Sequence, residues 1–531
     1  MNLSDKLNRR TMLKTAAAAS MTLMVDDVLA AGVSKTIGNA ANNQGIQWDE
    51  EWDVLVVGSG FAGSAAFCEA IDAGAKTLMI EKMPVLGGNS AINGGAFSIV
   101  NSSYQKRDGV VDSVELYMKD IFKAGLNLND PALVEMIARK GNETFEFTRA
   151  RGVVYRKDLG WFGGHSVPRT VWPTINSGGK ITIPLQEWGQ SRGGVIRTRV
   201  LLDDFVFDEN GAVIGAKVRE EYQFNFDKKA KEEDNKTGVI KYYRVKGGVI
   251  MCTGGFAYDP EFVYEVDPTI PRGLDCTNHL GATAQAIKMM IRNEIDTVHL
   301  NWIQLGPWGS PDEKGFGIAA IFAIPSFTYG MAVDVKTGKR FMNELADRRI
   351  RSDAIMKVWK DAQGNFTYPL VICDTIGASG TTKENVERGI HKGVIKVFNT
   401  LEEIADYYKL PKEDFLAEVE KFRGYVKEGK DPEFNKPITK YKGEDVTLTK
   451  PPYYVFRAVP KLHHCMGGVR INVKAQVISK NTQGPIPGLF AAGEAVGGSH
   501  GASRLGSCAI PDCLVFGRIA AQGAVANLKK A

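Results

Sequence analysis

Cysteine is scarce and scattered in this chain. Cys68, Cys252, Cys276, Cys373, Cys465, Cys508 and Cys513 form no CxxC pair and no CxxCH haem-attachment motif. That spacing argues against a disulfide framework, a covalently bound haem and a metal site, and buried free thiols are expected. Neither sign of charge is in large excess. The net charge is +5 over 531 residues, with lysine and arginine spread along the chain. This excludes the basic footprint of a nucleic-acid-binding protein and leaves a solvated, mixed-charge surface. Long apolar runs are missing as well. The longest, Gly317 to Val333, is broken by Pro325 and by polar residues, so no integral membrane segment is expected. No internal repeat is present.

What is present is a globular composition, 44% hydrophobic and 24% charged, in a chain long enough for two or more domains with large cores. The N-terminus carries Asn8-Arg9-Arg10-Thr11-Met12-Leu13-Lys14, a twin-arginine pattern. A short apolar run, Thr15 to Val25, follows, then Val28-Leu29-Ala30 as a small-residue cleavage site. The run is too short to cross a bilayer. Residues 1–31 are therefore expected to be an export signal that delivers a folded protein to the periplasm. Residues 32–50 read as a polar linker.

The most informative stretch is Asp53-Val54-Leu55-Val56-Val57-Gly58-Ser59-Gly60-Phe61-Ala62-Gly63. It predicts a buried parallel strand, a glycine turn and a helix from Ser64 to Ala73. Gly58 permits the tight turn, Gly60 lets backbone approach a pyrophosphate, and Gly63 lets the helix pack close to the strand. A second strand, Thr77 to Ile80, ends at Glu81, 21 residues past Gly60, where an acceptor for a ribose hydroxyl is expected. Lys82 follows it. Strand, turn, helix, strand and acid in this order predict dinucleotide binding.

Further along, Gly87-Gly88-Asn89-Ser90 and Gly94-Gly95 are glycine pairs beside small polar residues, suited to backbone contact with a planar ring and its chain. Helices are predicted over Ser113 to Ala124 and Pro131 to Arg149. His165, in the glycine loop Trp161 to Ser166, is either a surface loop residue or a residue near the cofactor. Strands at 195–198, 201–207 and 213–218 surround Asp208-Glu209-Asn210-Gly211, a hairpin turn. Lys228 to Lys236 reads as a solvated loop tip. Buried strands end at Thr253-Gly254-Gly255-Phe256 and at Gly493-Glu494, which fits a nucleotide domain split by an insertion over 262–450. Within it, Thr277 to Arg292 reads as a turn followed by a helix. Two helices flank Lys409-Leu410-Pro411-Lys412.

These segments, with Gly338-Lys339-Arg340-Phe341-Met342-Asn343-Glu344, His463-His464-Cys465-Met466-Gly467-Gly468 and His500-Gly501-Ala502-Ser503-Arg504-Leu505-Gly506, resemble the fumarate reductase and succinate dehydrogenase flavoproteins, in particular their soluble periplasmic flavocytochrome c branch. The resemblance runs from about Glu51 to the C-terminus. It implies an α/β fold, a Rossmann-type FAD-binding domain (51–261 and 451–531) interrupted by an α+β capping domain (262–450). It implies non-covalent FAD and reduction of a C=C bond conjugated to a carboxylate. His463 and Arg504 would bind the carboxylate, Arg348 would protonate the α-carbon, and His464 would stabilise reduced flavin. Gly58, Gly60, Phe61, Ala62, Gly63, Glu81, Lys82, Gly88, Asn89, Ser90, Gly94, Gly95, Gly254, Gly255, Glu494, Ser507, Cys508, Ala509 and Ile510 would hold FAD.

The chain also departs from the family. Fumarate reductases carry a histidine where Gly306 stands, and a threonine, a glutamate and an arginine where Ala323, Ile324 and Phe327 stand. Those groups serve the second carboxylate and proton resupply. Fumarate is therefore expected to be a poor substrate, because its second charge would be buried without a partner. Monocarboxylates such as acrylate, methacrylate, cinnamate-like acids or urocanate fit better, with Trp308, Phe322, Phe327 and Tyr329 lining the tail. Tyr329 or Asp347 would resupply the proton. Having no haem domain, the chain would take electrons from a separate c-type cytochrome. A true fumarate reductase, a ketosteroid-type dehydrogenase and a redox-inactive flavin carrier are the competing readings.

Overall fold

The computed structural model describes residues 45–227 and 231–529, so the export signal and residues 32–44 of the linker lie outside the described residues. At its centre is the strand Glu50–Val57, in which Val54, Leu55 and Val56 are fully buried. A continuous apolar run is required here because both faces of the strand are covered. The sheet runs in the order Gln476–Ile478, Pro485–Ala491, Val239–Met251, Glu50–Val57, Thr77–Glu81, Val195–Thr198. All but the first pairing are parallel. A hairpin of Leu201–Phe207 and Val213–Glu220 extends it through Val239–Met251, turning at Gly211 with φ of 77°.

Two helices close one face. Phe61–Asp72 starts three residues earlier than the sequence predicts, because Gly60, still extended, is its N-cap. Ala509–Leu528 crosses it closely: a Cβ on Gly517 would lie 2.3 Å from the Ala62 carbonyl oxygen. This C-terminal helix was not foreseen from the sequence. It is long and apolar enough to cross a membrane, but it packs in the core through Ala520, Ala521 and Ala524.

The second unit is an antiparallel sheet, Met331–Val333, Leu370–Cys373, Tyr453–Arg457 and Lys396–Phe398. One face packs Phe322, Phe327 and Phe456, the other Phe415, Phe422 and Val455. The Gly338–Glu344 motif is part of its framework. Arg340 donates to Glu344 at 2.8 Å and to Asp431 at 2.9 Å with no exposure of any partner, and Lys436 stands 3.5 Å from Glu344. Such a knot tolerates loss of no single member, since each remaining charge would be buried alone.

Within the stretch assigned to the insertion, Gln285–Arg292 packs Ile287, Met289 and Met290 into the core of the large sheet. The two units are joined by an antiparallel pair, Ile303–Gly309 with Val459–Cys465. This pair carries the groups described next.

Candidate active site

A cleft opens at the carboxyl ends of the central strands. Gly58, Gly60, Phe61, Ala62, Glu81, Lys82, Gly88, Asn89, Ser90, Gly254 and Glu494 all line it. Gly58 has φ of 104°, and a Cβ there would lie 2.3 Å from the Cys252 carbonyl oxygen. Gly60 offers the Phe61–Asp72 helix no capping side chain; Phe61 N donates to Ser90 Oγ at 2.9 Å, and the other early amides of the helix are left for a phosphate. Glu81 sits at its strand end and accepts from Ser59 Oγ at 2.6 Å and Met83 N at 3.0 Å. The ADP half of a flavin dinucleotide fits these groups. Leu201, Leu202, His279 and Thr283 also line the cleft and went unassigned in the sequence.

Gly63 lies beneath the cleft, where a Cβ would collide with the Gly58 carbonyl oxygen at 1.9 Å. Gly255 is pressed against Glu494, and its missing side chain lets the Glu494 carboxylate reach Cys465 N at 2.9 Å. Burial pushes the Glu494 carboxyl up to about 7. Gly94 and Gly95 lead into Phe97–Ser98, which meets the loop ahead of the last helix: Ser98 N donates to the Ser507 carbonyl at 3.2 Å, and Cys508 Sγ lies 3.2 Å from Tyr117 Oη. Ala509 and Ile510 begin that helix.

One loop reading is corrected, and one left open is decided. Of the run Lys228 to Lys236, the described residues 231–236 are not simply a solvated tip. Glu232 pairs with Lys82 at 2.9 Å, and Glu233 with Lys288 at 2.7 Å, because cations at the cleft mouth need anionic partners. His165 is 5% exposed, which removes the surface reading. Arg169, held between Asp112 at 2.8 Å and Asp120 at 2.6 Å, points Nη1 at His165 Nδ1, 2.9 Å away. An arginine can only donate, so the proton of His165 lies on Nε2 and is donated to the Gly506 carbonyl at 2.7 Å. The loop that ends the Arg504 motif is thereby anchored.

Beyond the cleft the joining strands gather cations. Arg504 is 6% exposed, with Nη2 3.3 Å from His463 Nε2 and Nε without a partner. His463 Nδ1 lies 2.7 Å from Thr277 Oγ1, whose hydroxyl donates to the Leu462 carbonyl at 3.2 Å. That places the His463 proton on Nδ1 and its lone pair toward Arg504. Arg348, at the start of the Arg348–Val358 helix, donates to Gln304 Oε1 at 2.7 Å and stacks 4.6 Å over the Trp308 ring. Gln304 Nε2 in turn donates to the Arg504 carbonyl and to Ser503 Oγ, both at 2.9 Å. Gln304 therefore ties the two arginines together, a role the sequence reading did not give it.

The side chains offered for the substrate tail divide. Trp308 reaches the cluster, edge-on to His463 with ring centroids 5.0 Å apart. Phe322 and Phe327 are enclosed with Phe456, Phe327 beneath Arg351. Tyr329 packs edge-on against Tyr441 at 5.4 Å.

Among the described residues, Arg348, Arg351 and Arg504 form no ion pair, whereas Arg349 pairs with Asp353 at 3.6 Å. Burial, then Arg504 and Arg351, holds the Arg348 guanidinium well below its ordinary proton affinity. Burial, followed by the nearby arginines, does the same to the His463 and His464 imidazoles.

The FAD binding domain family matches residues 53–510. The chain is 41% identical to an acrylate reductase flavoprotein subunit of Shewanella woodyi over 98% of its own length and 99% of the relative's. It is 31% identical to a urocanate reductase of Eggerthella lenta over 89% and 74% of the two chains. The chain belongs to the fumarate reductase-type FAD flavoproteins. A solved open conformation of a flavocytochrome c3 fumarate reductase superposes with a TM-score of 0.71 at 28% identity, covering 99% of this chain and 83% of that one. This flavoprotein is an FAD-dependent oxidoreductase acting on C=C bonds, and the cleft described above is where FAD fits.

The buried His165 of the flavoprotein gives a pH signature. Burial pulls its imidazole down to about 4. Between pH 4 and 6.5 the unfolded chain binds the extra proton, so this group's contribution to stability is full above pH 6.5 and is lost on acidification. Glu494, raised to about 7, works in the opposite sense between pH 4.5 and 7. Comparison with His165→Gln isolates the histidine. Going from pH 7 to pH 5, the parent protein is expected to lose about 2 kcal/mol more than the variant in urea unfolding. Equal losses would show that His165 takes up its proton in the fold at the same pH as in the unfolded chain.

Proposed function

We propose that this flavoprotein reduces the C=C bond of a 2-enoate that carries a single carboxylate. The observation that carries the reading is a buried cluster, Arg504, His463 and Arg348, in which, among the described residues, neither arginine forms an ion pair and the acids that act on Arg504, Glu494 and Asp512, do so without direct contact. Buried arginines without counter-ions are costly, and a substrate carboxylate relieves that cost. One carboxylate suffices. Past the cluster stand Gly306 and the Trp308 indole, whose N–H is buried without an acceptor, in place of a second cation. Acrylate, methacrylate, cinnamate-like acids and urocanate are the substrates in question. The acrylate and urocanate reductases among the relatives support the monocarboxylate class.

FAD, when bound and reduced, supplies the hydride for the β-carbon. Arg504 forms a forked pair with the carboxylate, His463 adds a donor once its proton shifts to Nε2, and both stabilise the charge that moves onto the carboxylate. Gln304 orients Arg348, which gives a proton to the α-carbon. The substrate then holds one added hydride and one added proton and leaves as the saturated acid. Arg348 must recover its proton. Asp347, the residue before Arg348 and the cap of its helix, is assigned that task rather than Tyr329, which packs against Tyr441. His464, 3.4 Å from Glu494, is proposed to face the flavin pyrimidine. FAD is held non-covalently, the unit built on the antiparallel sheet, which takes three strands from 262–450 and Tyr453–Arg457 just past it, closes over substrate, and the chain is exported to the periplasm by its twin-arginine signal. A separate c-type cytochrome delivers the electrons.

The test is anaerobic reoxidation of the dye-reduced holoprotein by fumarate, acrylate, methacrylate, cinnamate and urocanate in parallel. Fast reoxidation by at least one monocarboxylate, with fumarate slow, is the expected result. Reoxidation by fumarate alone would reverse the reading.

A further inference from the structure

We infer that Trp308 fixes the length of the substrate, limiting it to enoates that are unsubstituted at the β-carbon; the inference rests on the monocarboxylate reading above. The indole lies across Gly306. A Cβ at Gly306 would meet Trp308 Cε2 and Cζ2 at 3.0 Å and Nε1 at 3.2 Å. Any side chain at position 306 would therefore displace the ring, and its absence is what lets the ring lie flat. The other contacts of the ring hold it there. Arg348 stacks on one side at 4.6 Å, and His463 meets it edge-on at 5.0 Å. The ring is also packed, partly buried, against the hydrophobic core that contains Ile318, Ala319 and Phe322. Residues 303–306 and 309 pair along the strand that carries His463, with Trp308 and His463 each at a break in that pairing, so the contact between indole and imidazole is made by the side chains themselves.

The order of groups then sets the substrate. A carboxylate on Arg504 and His463 that extends its double bond toward Arg348 runs alongside the indole, which touches both His463 and Arg348, so a β-substituent is directed at the ring. Acrylate ends before it. Methacrylate branches at the α-carbon, beside Arg348 rather than toward the ring. A β-phenyl or β-imidazolyl group has to occupy the space of the indole, and overpacking a rigid wall is destabilising. A second carboxylate would meet a neutral N–H where it needs a cation.

The decisive measurement is kcat/KM for acrylate, methacrylate, cinnamate and urocanate with the FAD-loaded parent, Trp308→Ala and Trp308→Phe, with the flavin spectrum checking that each variant is loaded. The parent is expected to favour acrylate and methacrylate over cinnamate by at least a hundredfold. Trp308→Ala is expected to raise the cinnamate-to-acrylate ratio at least tenfold, and Trp308→Phe, which leaves a smaller ring over Gly306, to raise it less. A parent that already reduces cinnamate as well as acrylate would overturn the role of Trp308 and leave the enoate reading standing. So would an unchanged ratio in Trp308→Ala. A parent that reduces none of the four would overturn the enoate reading itself.

Discussion

Arg348→Gln is expected to slow turnover with acrylate by roughly 10²–10⁴-fold, the usual worth of a positioned general acid. KM should change little, because carboxylate binding is assigned to Arg504 and His463. An arginine is ordinarily too weak an acid for this work. Here three features alter that. The guanidinium is buried, it faces Arg504 and Arg351, and no carboxylate pairs with it. Each of these makes the proton easier to give up. Its one strong polar tether, Gln304 Oε1 at 2.7 Å, is neutral and orients the group without neutralising it. Glutamine at 348 keeps a polar side chain but has no proton to transfer. Dye reduction of the flavin should be untouched in this variant, which separates loss of chemistry from loss of cofactor. Reoxidation by acrylate within fivefold of the parent would show that another group protonates the α-carbon.

How readily each part could be read depended on how local its cause is. Gly58, Gly60 and Gly63 act within one turn, through clashes a Cβ would make with atoms a few residues away or in the adjoining strand, so the motif carried its own explanation. The hairpin at Asp208 to Gly211 and the helices Val114–Ala124 and Pro131–Arg149 were legible for the same reason. Gln304 was not. It joins Arg348, Ser503 and Arg504, and nothing in Ile303-Gln304-Leu305 announces partners 44 to 200 residues distant. The run Lys228 to Lys236 failed similarly, since Glu232 meets Lys82 from 150 residues away. Tyr329 and Phe327 lie two residues apart near the end of the Ala319–Tyr329 helix and so point in different directions, one to Tyr441 and one under Arg351. An aromatic count along the segment could not separate them.

Arg504→Met is expected to lower kcat/KM for acrylate by about 10³-fold or more, since it removes a bidentate carboxylate partner and the cation that offsets charge building in the transition state. Both kcat and KM should suffer, unlike in Arg348→Gln. The variant should also carry an inverted pH response. In the parent, Arg504 is among the causes that hold His463 and His464 well below the ordinary imidazole range. Without it, His463 takes up a proton at higher pH than before. An imidazolium at His463 would then supply part of the lost charge, 3.3 Å from where the guanidinium stood. Residual kcat/KM should therefore rise as the pH falls from 8 toward 6. The parent has its cation at every pH in this range and should not show that rise. Dye reduction of the flavin again serves as the check on folding. If the Arg504→Met residual activity were flat with pH, His463 would not be within reach of the substrate carboxylate, and the anion site would have to be rebuilt around Arg348 and Arg351 alone.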